Sequence, residues 1–228
     1  MKIDLVYTWV NGADLSHHEK VMEIAKKFNV PENENTYHES RFIDTDFLKY
    51  SLRSVEKNML WINKIFVIVD SQIPEWLKLG REIQIIEHKD LLGKYYPNFN
   101  SIAIETFLYK IPGLSEFFIY SNDDFFCNRE ISRDYFFDVK EKPIYRGGFF
   151  GRKHSNLNLH CRVTYQAIIY AYVLYSRWLP IRFSHNMTPF RKSFLKDNIE
   201  ESTFQDWIEL LGKLSLEKIQ MSHWLCLN

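Results

Sequence analysis

Cysteine is scarce in this 228-residue chain: there are three, Cys127, Cys161 and Cys226, far apart and without C-x-x-C spacing. So small, odd and scattered a set argues against a disulfide framework or a zinc cluster and for a reducing compartment. Net charge is also missing, because 29 Lys and Arg balance 29 Asp and Glu. A neutral chain has no electrostatic footprint for nucleic acid and no polybasic membrane anchor. Any anionic ligand must therefore be held by individually placed bases. Long apolar runs are absent too. The longest, "AIIYAYVLY" at 167–175, is about half of what a bilayer span requires. The opening "MKIDLVYTWV" is too short for a signal peptide and is broken by Asp4. These absences point to a cytoplasmic protein whose only membrane contact would be peripheral, at the inner face and through its substrate. Repeats, low-complexity tracts and domain-splitting linkers are lacking as well, so residues 1–228 read as a single domain.

What is abundant is aromatic: 13 Tyr and 18 Phe contribute to an aromatic content of 16%. Such rings suit a core with polar-tipped edges or a sugar-facing cleft, and core packing accounts for most of them. "IDLVYTWV" (3–10) predicts a buried strand ending at the Asn11-Gly12 turn signal. Val21, Ile24, Ala25 and Phe28 recur at helical spacing, and "PENENTYHES" (31–40) is a polar loop. Asp44 is placed to cap a helix with Leu48, Leu52, Val55 and Met59 on one face and Lys49, Arg53 and Glu56 on another. Strands are expected at "KIFVIVD" (64–70), "IQIIEH" (83–88) and "FFIYS" (117–121). Between them lie a short helix near Pro74 and a longer one over 100–111. Strand and helix thus alternate through residues 1–130, the pattern of a largely parallel sheet with covering helices. In 131–228, "GGFFG" (147–151) reads as a flexible turn, and helices are expected over Thr164–Trp178 and after Ser202. The fold class is α/β, Rossmann-like or glycosyltransferase-A-like, with a more helical C-terminal third.

The chemistry concentrates in "FFIYSNDDFF" (117–126), where an apolar run meets two adjacent acids. Neighbouring carboxylates repel and are costly to desolvate. At the carboxyl end of a parallel strand, where α/β ligands collect, they can hold Mg²⁺ or Mn²⁺ bridging substrate phosphates. Asp70, after "IFVIV", sits at a similar position. A plain alternative is that one acid caps a turn while the other pairs with Arg129 or Arg133. Glu105, in the apolar "IAIETFL", needs a partner if buried; it could orient an arginine or face water.

Four stretches together resemble the Stealth family: "IDLVYTWVNGAD", "RFIDTDFLKYSLRSVEKNMLWINKIFVIVDSQIPEWL", "FNSIAIETFLYKIPGLSEFFIYSNDDFF" and "HNMTPFRK". The family includes bacterial capsular polysaccharide phosphotransferases. The resemblance is dense over residues 3–130 and thinner to about 195. It implies transfer of a hexose-1-phosphate or N-acetylhexosamine-1-phosphate from a nucleotide sugar to a glycan hydroxyl in capsule or exopolysaccharide synthesis. A divalent cation, Mg²⁺ or Mn²⁺, is the implied cofactor, and a lipid-linked acceptor would bring the enzyme to a membrane surface. By the same resemblance Asn11 and Asp14 fall beside the nucleotide sugar, Arg41, Asp44 and Arg53 belong to the substrate site, and Asn122, Asp123 and Asp124 form the acidic centre. From the last block come two more catalytic residues, His185 as acid/base and Arg191 on a phosphate.

Those residue types fit phosphoryl chemistry. Cations and guanidinium groups stabilise charge on the oxygens around a reacting phosphorus, and the Arg fork grips two of them at once. A histidine or aspartate can take the acceptor's proton, with His185 the candidate by type. Read alone, Arg41 and Arg53 equally suit surface pairing with Asp44 and Glu56, and His185 an ordinary loop. Two other functions stay open here. One is a conventional glycosyltransferase, which the lack of a clean D-x-D disfavours. The other is a non-catalytic glycan- or nucleotide-binding remnant, since "HWLCLN" (223–228) resembles only the opening of a further family block.

Overall fold

Strand β1 (Ile3–Thr8) shows how the sequence builds the sheet: Ile3, Leu5 and Tyr7 point to one face, and Asp4, Val6 and Thr8 to the other. A strand alternates faces with period two, so one that is apolar on both must be covered on both. The computed structural model describes residues 1–27, 46–78, 82–99, 101–149, 181–184 and 186–200.

Within these, β1 is flanked by β2 (Ile65–Val69) and β4 (Phe117–Asn122), both parallel to it. β3 (Ile83–Glu87) extends the parallel set beyond β2. β7 (Thr188–Arg191) closes the far edge antiparallel to β4, giving the order β3-β2-β1-β4-β7. Helices α1 (Leu15–Lys27), α2 (Phe47–Asn58), α3 (His88–Leu92), α4 (Ser101–Thr106) and α5 (Lys192–Glu200) accompany it.

Two apolar layers result. One packs Val6, Phe66, Ile68 and Phe118 under α3, α4 and α5. The other packs Leu5, Tyr7, Val67 and Ile119 against Leu48, Leu52 and Val55 of α2 and Met59 at its C-cap, all four of which are buried as their spacing predicts.

Among the described residues, Asp4 is the one buried charged side chain within these strands. Its Oδ1 accepts from Asn63 Nδ2 at 2.7 Å and its Oδ2 from the Ser115 backbone at 2.7 Å. Both oxygens are satisfied, which is what makes its complete burial tolerable.

Local differences from the sequence reading have local causes. α2 begins at Phe47 behind Asp46, which has φ 57° and makes no side-chain cap; Asp44 lies outside the described residues. The stretch at Pro74 makes only a turn, Leu77 N to Pro74 O at 2.9 Å. The 100–111 helix stops at Thr106 and continues as a tight 3₁₀ turn, Leu108–Lys110. "GGF" is not a flexible turn but strand β5 (Gly147–Phe149), paired antiparallel with β6 (Ile181–Phe183). A Cβ on Gly147 would lie 2.4 Å from the Arg182 carbonyl oxygen, so the strands approach only because a glycine is there. The helices expected over Thr164–Trp178 and after Ser202, and the loop at 31–40, lie outside the described residues.

Candidate active site

The direction of chain departure reverses between β1 and β4, and an open α/β sheet binds its ligands at such a point, outside the carboxyl ends of the strands. Thr8 and Asn122, the last residues of the two strands, are register partners there. The Tyr120 hydroxyl joins them. It lies 2.9 Å from Thr8 Oγ1 and can donate to Asn122 Oδ1 at 3.0 Å or to Glu105 Oε1 at 3.3 Å. The partner of Glu105 is thus a tyrosine hydroxyl. Burial of the Glu105 carboxyl pushes it up to about 7, and the Tyr120 bond pulls only weakly the other way. Burial, reinforced by Glu105, likewise holds the Tyr120 hydroxyl well above the usual tyrosine range.

Asp123 and Asp124 follow directly. Asp123 is half-buried; Asp124 is exposed and has no ion pair or hydrogen bond among the described residues. What fixes them is the chain just beyond, captured by one face of α2. Ser51 Oγ donates to the Phe125 carbonyl, Ser54 Oγ accepts from the Cys127 backbone at 2.9 Å, and Asn58 Nδ2 donates to the Cys127 carbonyl at 2.6 Å. Since the Ser51 proton goes to Phe125, the Tyr7 hydroxyl 2.8 Å away is the donor to Ser51. Residues 51, 54 and 58 share a face at helical spacing. That polar stripe was present in the sequence beside the apolar one, and following apolar positions alone misses it. Next to this loop a cavity of about 140 Å³ opens between Phe125, Phe126, Tyr135, Phe136, Asn186 and Met187.

On the other side of the switch point lies the turn after β1. Asn11 Oδ1 accepts from Ala13 N at 3.0 Å, and Asp14 N bonds Asn11 O at 3.2 Å. Asp14 Oδ1 accepts from Ser16 N at 2.7 Å and His17 N at 3.3 Å, so this carboxylate caps α1. Hydrogen bonds, first from Ser16 and then from Gln72, hold it down at about 2. Gln72 grips Asn11 by both amide atoms. Its Oε1 accepts from Asn11 N at 2.7 Å and its Nε2 donates to Asn11 O at 3.3 Å.

Asp70 is fully engaged beneath this turn, by His17 Nδ1 at 3.0 Å, Lys20 Nζ at 3.4 Å and Tyr96 OH at 3.0 Å. Burial opposes its ionisation, but those three partners hold its carboxyl below the usual range. His88 is buried nearby with neither ring nitrogen hydrogen-bonded, and burial pushes it down to about 4.

The structure therefore brings Asn11, Asp14, Asn122, Asp123 and Asp124 to one edge of the sheet. Arg53 is exposed on α2, its guanidinium 5.9 Å from the centre of its neighbour Tyr50's ring. Arg191 corrects the sequence reading. It is the register partner of Phe117, at the opposite end of β4 from Asn122, and pairs there with Glu116 at 3.3 Å. Five steps of strand separate those ends, roughly 16 Å. The reason is direction: β7 runs antiparallel to β4 and carries Arg191 away from the acids, which no local pattern reveals. Arg41, Asp44 and His185 lie outside the described residues, although Asn186, beside His185 in the chain, lines the cavity at Phe125 and Phe126.

The donor set at Asp123 and Asp124 is oxygen only, as a hard divalent ion requires. Among the described residues no three His, Cys, Asp or Glu gather into a self-sufficient metal site. Two carboxylates match instead the ion that completes its shell with water and substrate phosphate. Among the described residues no helix is long and apolar enough to cross a membrane.

Two family models match the chain: Stealth protein CR1, conserved region 1, over residues 1–21, and Stealth protein CR2, conserved region 2, over residues 41–145. Together they take in more than half of it. The chain is 44% identical over 140 residues to the capsular polysaccharide phosphotransferase cps1A of Actinobacillus pleuropneumoniae, covering 60% of this chain and 38% of that protein. It is 42% identical over 142 residues to LcbA of Neisseria meningitidis, with the same coverage. Identity to SacB of Neisseria meningitidis serogroup A is 42% over 137 residues, 59% of this chain and 24% of SacB. The matches thus take in about two fifths or less of the length of these relatives.

Proposed function

The chain belongs to the Stealth family, and on that footing we propose that it transfers a sugar-1-phosphate from a nucleotide sugar to a hydroxyl of a glycan. The observation that carries this reading is Asn122–Asp123–Asp124 at the carboxyl end of β4, beside the Asn11–Asp14 turn. The turn takes the nucleotide sugar and the acids face its diphosphate. Asp123 and Asp124 would hold a Mg²⁺ or Mn²⁺, which would supply positive charge to the phosphate oxygens. The acceptor hydroxyl attacks the sugar-bearing phosphorus, a new P–O bond forms, and the P–O bond to the nucleoside monophosphate breaks. The acceptor's proton passes to His185, assigned by type and by the family resemblance of its block. Arg53, exposed and without an ion pair among the described residues, is available to the diphosphate. Arg191, committed to Glu116 at the far edge, takes no part. The product is a phosphodiester in capsule or exopolysaccharide, made where a lipid-linked acceptor is presented.

Chromatography of the nucleotides released by the full-length protein, supplied with donor, acceptor and Mn²⁺, tests this. A nucleoside monophosphate is expected. A diphosphate as the primary product means attack at the sugar carbon and a conventional glycosyltransferase. Release of neither means a binding module.

A further inference from the structure

The parallel pairing of β1 with β2 ends at Thr8 and Ile68, with Trp9 N still bonded to Ile68 O at 2.9 Å. Two residues further on, Asn11 has no strand beside it, yet both its backbone groups are paired, through the Gln72 side chain. The Gln72 amide thus stands in for a peptide unit and extends the β1–β2 ladder past the strand ends. Gln72 is buried, and it also reaches the Asp14 carboxylate. Asn11 spends its own Oδ1 on Ala13, and its Nδ2 makes no hydrogen bond among the described residues. The turn therefore presents a fixed donor group at the carboxyl edge of the sheet, and the residue that fixes it comes from a different loop.

We infer that Gln72 is a positioning residue for nucleotide-sugar binding, acting through Asn11 without touching the ligand. This rests on the donor-binding reading of that turn. An amide is required because the clamp needs one acceptor and one donor, in the fork that Asn11 N and O present. Glutamate keeps the first bond only, and sets a charge against the Asn11 carbonyl and Asp14. A leucine of similar size keeps neither.

The test measures dissociation constants by calorimetry on the full-length protein with Mn²⁺. The probes are UDP-glucose, UDP-galactose, UDP-N-acetylglucosamine and GDP-mannose, taking whichever binds the wild type. Gln72→Leu and Gln72→Glu are expected to raise the dissociation constant about tenfold or more, and Asn11→Ala similarly. The double variant Asn11→Ala/Gln72→Leu is expected to bind no worse than Asn11→Ala alone, because alanine, its backbone still clamped, has no side-chain donor left for Gln72 to position. Unchanged affinity in both Gln72 variants overturns the inference while leaving the donor site standing. So does strict additivity in the double variant, which would make Gln72 a general prop. Failure of the wild type to bind any probe, with the protein folded by its melting profile, overturns the donor-binding reading and this inference with it.

Discussion

Two loops meet at the carboxyl edge of the sheet, and they are held in opposite ways. The turn after β1 is mostly self-contained: Asn11 bonds Ala13, Asp14 caps its own helix, and among the described residues only Gln72 reaches in from outside. The loop after β4 makes the bond Phe125 N to Asn122 O at 3.4 Å and is strung along α2 by Ser51, Ser54 and Asn58, about 70 positions earlier in the chain. A self-bonded turn keeps its shape wherever the strand ends. A loop docked on a helix inherits that helix's position, and any shift of α2 moves the acids. Under the proposed function the first loop takes the binding role and the second the placement of charge.

Removing the acids is expected to have the largest effect. Asp123→Asn and Asp124→Asn should each lower turnover ~10²–10³-fold, the scale of losing one transition-state charge partner, with the melting temperature little changed. Rates near wild type, or indifference to EDTA, would strip the β4 loop of its assigned role. Next comes the docking. Ser51→Ala leaves the Tyr7 hydroxyl and the Phe125 carbonyl without their shared partner in a buried place, costing about 1–3 kcal/mol in denaturant unfolding. Ser54→Ala and Asn58→Ala, at half-buried positions, should cost less but still slow turnover. If all three leave the rate intact, the acids do not depend on α2 and the contrast between the loops collapses.

Glu105 gives a pH-dependent version of the same comparison. Its carboxyl is raised from 4.5 to about 7 in the fold, so the folded state holds a proton that the unfolded chain releases. Its contribution to stability is therefore full below pH 4.5 and disappears as pH rises to 7. Thermal melts of Glu105→Gln should gain on the wild type across that window, by roughly 3 kcal/mol end to end. A constant difference between the two curves would mean Glu105 is ordinary. His88, held near 4 by burial, slopes the other way and weakens the fold as pH falls from 6.5, so the variant retains that acid limb. The smallest effect is expected at Arg191→Ala, which breaks a half-exposed pair with Glu116 worth under about 1 kcal/mol. Turnover should not change; a collapse in rate would bring the amino end of β4 into the chemistry.

Much of this was legible in the sequence. Alternating apolar strands, the apolar face of α2 and the acids ending "FFIYS" each follow from local pattern, and they suffice for a parallel sheet with its site at one edge. What local pattern does not carry is which polar residue meets which. Gln72 reads as one letter in a loop, and Ser51 and Ser54 as neutral helix residues, until the fold sets Asn11 and Phe125 opposite them. Arg191 reads as a phosphate ligand beside His185 until the antiparallel sense of β7 takes it to the other end of the sheet. The error there is one of direction, and direction is a property of the assembled sheet.

Asp4 governs that assembly from the opposite edge. Its two oxygens fasten Asn63, just ahead of β2, and Ser115, just ahead of β4, so one carboxylate sets the starting line for both neighbours of β1. Strands that start level stay level: Ile3 beside Phe117 at one end becomes Thr8 beside Asn122 at the other. A slip of one residue would turn every side chain of β4 to the wrong face. Tyr120 would then leave Thr8 and Glu105, and the acids would leave their edge. The alignment of the carboxyl end is in this sense a measurement taken from the far end of the sheet, with Asp4 as the zero of the ruler.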